Sequence, residues 1–73
     1  MVKINIKKVL IIETDYGSFK CVFEPEKDMG GYMVEAHNVS GAISWGKTLL
    51  EAKRMIKEAI EGAIEAKATN FSF

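Results

Sequence analysis

Apolar and polar residues alternate through the first two thirds of the chain and then switch to a helical period, so strands come first and a helix follows. From Val2 to Ile12 the run VKINIKKVLII sets Ile4 and Ile6 on one face and Lys3, Asn5 and Lys7 on the other, the pattern of a half-buried strand. The phase breaks at Lys7-Lys8 and Val9 to Ile12 are all apolar, so either a bulge falls there or the strand is buried on both faces. Asp15 to Ser18 carries turn chemistry, and Phe19 to Glu24 returns as a second strand with Phe19, Cys21 and Phe23 on one face. Pro25 ends that strand, and Lys27 to Gly31 supplies a polar, glycine-rich hairpin loop. Tyr32 to His37 is predicted as a third strand, Asn38 to Gly41 as a turn, and Ala42 to Trp45 as a short fourth strand.

Thr48 and Glu51 stand at capping-box spacing: the threonine oxygen can accept from the Glu51 amide while the glutamate reaches back to Thr48. A helix therefore starts here. At 100° per residue Leu49, Ala52, Met55, Ile56, Ala59, Ile60, Ala63, Ile64 and Ala66 share one side, with Arg54, Lys57, Glu58, Glu61 and Glu65 opposite. The many alanines predict a close approach of helix to sheet. Phe71 and Phe73 alternate as an edge strand would. The fold class is α+β: an antiparallel meander of three to four strands, one helix packed on one face, and a candidate C-terminal strand at Asn70 to Phe73. The order is β-β-β-β-α-β, in a single domain spanning residues 1–73.

Composition narrows the function classes. At 73 residues a domain buries only about 60% of the surface its unfolded chain exposes, so stability alone is small and self-association into a homodimer or higher homo-oligomer is expected. A hydrophobic fraction of 48% excludes a disordered chain. Ten basic residues balance ten acidic ones, which leaves no net field to attract DNA, RNA or anionic lipid. A lone Cys21 closes no intrachain disulfide and suits a reducing compartment, and the start of the chain lacks the continuous apolar run of a secretory signal, so a cytoplasmic location is expected.

Three features invite a chemical reading. Glu24, Glu26 and Asp28 alternate before Glu35 at calcium-loop spacing, but Met29 holds the position that demands glycine and the flanks read as strands; a solvated acidic turn is expected, with no metal. His37, the single histidine, has no nucleophile or orienting acid placed by motif, and Cys21 reads as a small buried hydrophobe. Gly41-Ala42-Ile43-Ser44-Trp45-Gly46-Lys47-Thr48 matches the Walker phosphate-loop pattern letter for letter. That loop requires a preceding buried parallel strand and a large α/β domain, and residues 42–45 read as a strand, so the match is assigned to chance and no cofactor and no catalysis are expected.

Taken in order, the segment from Cys21 to Glu61 resembles the HicB antitoxin family over about residues 20–66. The matching positions are Gly30, Gly31, Tyr32, Gly41, Ser44, Gly46, Thr48, Glu51 and Ala52, with Ile56, Ala59 and Ile60 in the helix. The corner Asn38-Val39-Ser40-Gly41-Ala42 replaces the family's acid, proline and cysteine, and Met1 to Asp15 adds a strand where members normally begin. The resemblance implies a reduced ribonuclease-H-like fold without a metal centre, acting as a toxin-neutralising module whose partner is the small ribonuclease toxin HicA. The chain stops short of the DNA-binding domain that longer members carry, so no direct DNA binding is expected. Tyr32, His37 and Trp45 are the candidate partner-binding residues, with core packing as the competing role for each. An orphan oligomeric domain that binds a small ligand or another protein is the alternative function.

Overall fold

A computed structural model describes residues 7–69. The α+β architecture is present: four antiparallel strands in the order β1-β2-β3-β4, followed by one helix. The strands are β1 Lys8–Thr14, β2 Gly17–Pro25, β3 Tyr32–Ala36 and β4 Ile43–Gly46; the helix α1 is Leu49–Thr69. The first part of the predicted opening strand and the candidate strand at Asn70 to Phe73 lie outside the described residues. The meander is regular, each strand pairing with the next.

The apolar run of β1 is not buried on both faces. Its register with β2 is unbroken from Lys8 opposite Phe23 to Thr14 opposite Gly17, while a bulge at Lys7-Lys8 would fall at the edge of the described residues, before that pairing begins. Leu10 and Ile12 turn toward the helix, whereas Val9 and Ile11 are 56% and 58% exposed. Four consecutive apolar residues thus serve two faces, one covered by α1 and one open to solvent.

The core lies between sheet and helix. Phe23, Val34, Cys21, Ile56, Ile60 and Ala52 are fully buried, with Leu10, Phe19, Tyr32, Leu49 and Ile64 packed around them. Full burial of a Phe, Ile or Val side chain contributes about 1.5–3 kcal/mol, so these few residues hold most of the stabilisation available to so short a chain. Of the residues predicted for the packing side of the helix, Ala66 is exposed, because it lies past the last core contact at Ile64.

The helix is held at both ends. Thr48 Oγ1 accepts from the Glu51 amide at 3.1 Å, as the capping box predicts, but Glu51 Oε1 accepts from the Lys47 amide at 2.7 Å instead of that of Thr48. Only two residues separate β4 from α1, and this tight exit presents the Lys47 amide to the first turn. Gly46 makes that exit feasible, since a Cβ there would run into the Ala52 backbone. Farther along, Glu61 Oε2 accepts from the Asp15 amide at 3.0 Å and Glu65 Oε2 accepts from the Tyr16 hydroxyl at 2.9 Å. The helix therefore crosses the sheet from β4 to the β1–β2 turn. No described helix is long and apolar enough to cross a membrane.

Candidate functional site

The face of the sheet away from α1 is the candidate interaction surface. Register places Val9, Val22, Glu35 and Ile43 in one row across all four strands, since each is opposite the next. Beside that row, Glu24, Met33 and Trp45 form a second, and Ile11 stands opposite Lys20 in a third. Val9, Ile11, Met33 and Ile43 are all exposed, 40% or more. A shallow concavity of about 530 Å³ follows this surface, with Val22, Met33 and Ile43 as its apolar floor and Glu24, Glu35 and His37 as its polar groups. Lys7 stands at its rim.

The three residues singled out by the sequence do not converge. His37 is exposed at the end of β3, where its amide donates to the Lys20 carbonyl at 2.8 Å. Trp45 is on the same face but lies opposite Met33, four residues back along the neighbouring strand, on the order of 13 Å away. Its indole Nε1 donates to the Gly30 carbonyl at 3.0 Å, and its ring covers Gly31 so closely that a Cβ on Gly31 would meet ring carbons at 2.9 and 3.0 Å. Gly31 has φ +75°, so glycine is favoured there by conformation as well as by space. Tyr32 occupies the other face, opposite Gly46 and half-buried against the core. The residues that make up the open face, Val9, Val22, Met33, Glu35 and Ile43, escaped the sequence reading. The signal was the unexplained apolar run of β1.

The remaining chemical motifs acquire structural roles. Glu24 ends in the ladder opposite Met33, while the Glu26 amide donates to the Gly31 carbonyl at 2.9 Å and closes the β2–β3 hairpin, so the acidic segment is a strand end and a turn between two strands. Cys21 is fully buried, its Sγ–H directed at the Phe19 carbonyl 3.7 Å away, and burial pushes its thiol pKa up, away from a reactive thiolate. In the Walker-like stretch, residues 43–46 pair antiparallel with 32–35. The amides of Ala42, Ile43 and Lys47 donate to Val39 O, Gly41 O and Glu51 Oε1, so three groups that a phosphate loop would aim at its ligand already have acceptors within the fold.

A second groove, about 720 Å³, runs beside the start of α1 and differs in charge: Lys47, Lys53, Arg54 and Lys57 line it around the exposed Leu50. The two surfaces thus differ in charge: Glu24, Glu35 and Lys7 border the first, and the four cations with Glu51 border the second. Comparison of the chain with family models, curated proteins and solved structures finds no match.

Proposed function

We propose that this chain is a non-catalytic protein-interaction module, an antitoxin-like inhibitor of a HicA-type ribonuclease toxin, with the open sheet face as its contact surface. The observation that carries the reading is the row Val9, Val22, Ile43, exposed at Val9 and Ile43, with Ile11 and Met33 beside it and with Glu24, Glu35 and Lys20 set among them. Apolar surface gathered on one rigid layer is what a protein interface needs at its centre. A ribonuclease presents a cationic surface to RNA, so carboxylates set among apolar groups complement it, whereas the groove along α1 would repel it. The ordered resemblance to HicB antitoxins over residues 20–66 supports the same assignment.

The experiment is co-expression with a HicA-type ribonuclease, and the reading weakens if none is encoded in the neighbouring reading frame. Copurification of the two proteins and relief of growth arrest are expected, and Glu35→Lys should abolish both while leaving the thermal midpoint unchanged within about 2 °C, because Glu35 is exposed. Growth arrest that persists despite soluble expression of both chains would remove the inhibitor reading. The alternative, an orphan oligomeric domain, draws on the outer side of β1, which has no paired strand among the described residues, and would be left standing by a chain that self-associates but ignores the toxin.

A further inference from the structure

We infer that β1 is a self-complementary docking edge, and that two copies of this chain join β1 to β1 in antiparallel register to form one continuous sheet. The inference stands independently of the identity of any toxin partner. Among the described residues β1 is an edge strand, seven residues long, without proline or bulge, and with Val9 and Ile11 more than half exposed. Proteins usually blunt such an edge, because its unpaired amides and carbonyls are a template for another strand. The opposite edge is different: β4 has four residues and runs straight into the capped helix.

Which backbone groups of β1 face outward follows from a bond two strands away. His37 N donates to Lys20 O, so Lys20 and His37 are a hydrogen-bonded pair, and alternation turns the polar groups of Lys20 and Val22 toward β3. Those of Phe19, Cys21 and Phe23 then face β1, where Ile12, Leu10 and Lys8 receive them. The amides and carbonyls of Val9, Ile11 and Glu13 are left pointing out of the sheet.

A two-fold axis perpendicular to the sheet keeps each face on its own side, so only residues on the same face can stand opposite one another. Centring the axis on Leu10 sets Val9 against the partner's Ile11 and Lys7 against the partner's Glu13, with Leu10 against the partner's Leu10 on the helix side. The open-face residues then meet their complements, apolar with apolar and cation with carboxylate, through about eight interchain backbone hydrogen bonds, while on the helix side Lys8 stands against the partner's Ile12. Sliding two residues one way sets Val9 against Glu13; sliding the other way sets Ile11 against Lys7. The chosen register also joins the two open faces into one surface of double the extent.

Sedimentation of the full chain at high micromolar concentration should give twice the 8.1 kDa monomer mass. In the dimer the Val9, Ile11 and Glu13 amides should exchange slowly with deuterium, and dilution should release them. Ile11→Lys should raise the dimer dissociation constant at least about tenfold, whereas Ile43→Lys on the far edge should leave it unchanged. Glu13→Lys should weaken the dimer several-fold, and adding Lys7→Glu should restore it. The proposal is overturned by a monomer with or without protected Val9 and Ile11 amides, by a wild-type dimer in which those amides exchange freely, or by a dimer that survives Ile11→Lys. If Ile11→Lys fails to fold, the exchange pattern of the unmodified chain decides alone.

Discussion

The Asp15 amide donates to Glu61 Oε2 at 3.0 Å across 46 positions of sequence, and so fastens the first hairpin turn to the middle of the helix. The same carboxylate oxygen lies 3.0 Å from Lys57 Nζ. Hydrogen bonding from Asp15 first, and from Lys57 second, holds the Glu61 pKa below its ordinary value of 4.5. A lowered folded pKa means that the fold favours the carboxylate: the stabilisation is complete above about pH 4.5 and fades as pH falls through the folded value. Glu61→Gln should therefore lower the thermal midpoint by a few degrees at neutral pH, and the gap between the two proteins should close in acid. Melting curves recorded from neutral pH down through pH 3 check this.

Tyr16 makes the companion tie on the alkaline side. Its hydroxyl donates to Glu65 Oε2 at 2.9 Å, and that bond, with the adjacent negative charge, raises the phenol pKa above 10.0. Here the fold favours the protonated form, so the stabilisation is present below pH 10 and is lost as pH rises through the folded value. Lys57, raised above 10.5 by Glu61, acts in the same direction. Tyr16→Phe should cost no more than about 3 °C at neutral pH, since the ring is exposed, and should flatten part of the alkaline fall in midpoint. Ultraviolet titration should show the Tyr16 phenol ionising above pH 10.0 in the wild type, and that step should be missing from the variant.

Gly46→Ala tests the closeness of helix and sheet. The φ of Gly46 is not in the left-handed region, so the added methyl carries no conformational penalty of that kind; the obstacle is the Ala52 amide and Cα, which are backbone and cannot rotate aside. Overpacking costs about 1–3 kcal/mol, and a backbone obstacle places this site at the upper end. Against a total stability of roughly 5 kcal/mol for so small a domain, that leaves a large unfolded fraction at moderate urea. The urea midpoint should fall by half or more.

Gly46 and Thr48 also show what could be read from residues alone. The capping pair, the glycine-rich hairpin and the alternating strands are local devices whose spacing is set by backbone geometry, so the order of the four strands and the helix, and the helix start, were legible. The residues behind the family resemblance belong to the same group: Gly31 lies under Trp45, Gly46 against Ala52, and Thr48 and Glu51 cap α1. They report how the chain folds, and a folding pattern does not disclose a partner. The open face was not legible, because the same side chains, Val9 and Ile11, suit a buried strand and a docking strand equally. Glu61 and Glu65 fall on the wet side of a helical wheel, and it takes the return of the first hairpin to α1 to bring them the Asp15 amide and the Tyr16 hydroxyl.

Trp45→Phe separates two roles for a residue that stands on the open face. If the indole acts through the hairpin, the phenyl ring keeps much of the cover over Gly31 but loses the donor to Gly30 O, which lies at 3.0 Å in the wild type. A hydrogen bond of that kind contributes about 0.5–1.5 kcal/mol net. The expected result is a drop of that size in unfolding free energy, with amide exchange accelerated first in residues 26–31, which the indole and the Glu26–Gly31 bond together hold closed. Affinity for a partner on the open face should change less than it does for Glu35→Lys, because Glu35 lies in the central row between Val22 and Ile43 and Trp45 lies at the margin beside the hairpin. A larger loss of binding in Trp45→Phe than in Glu35→Lys, at unchanged stability, would move the centre of the interface from the Val22–Ile43 row to the glycine corner.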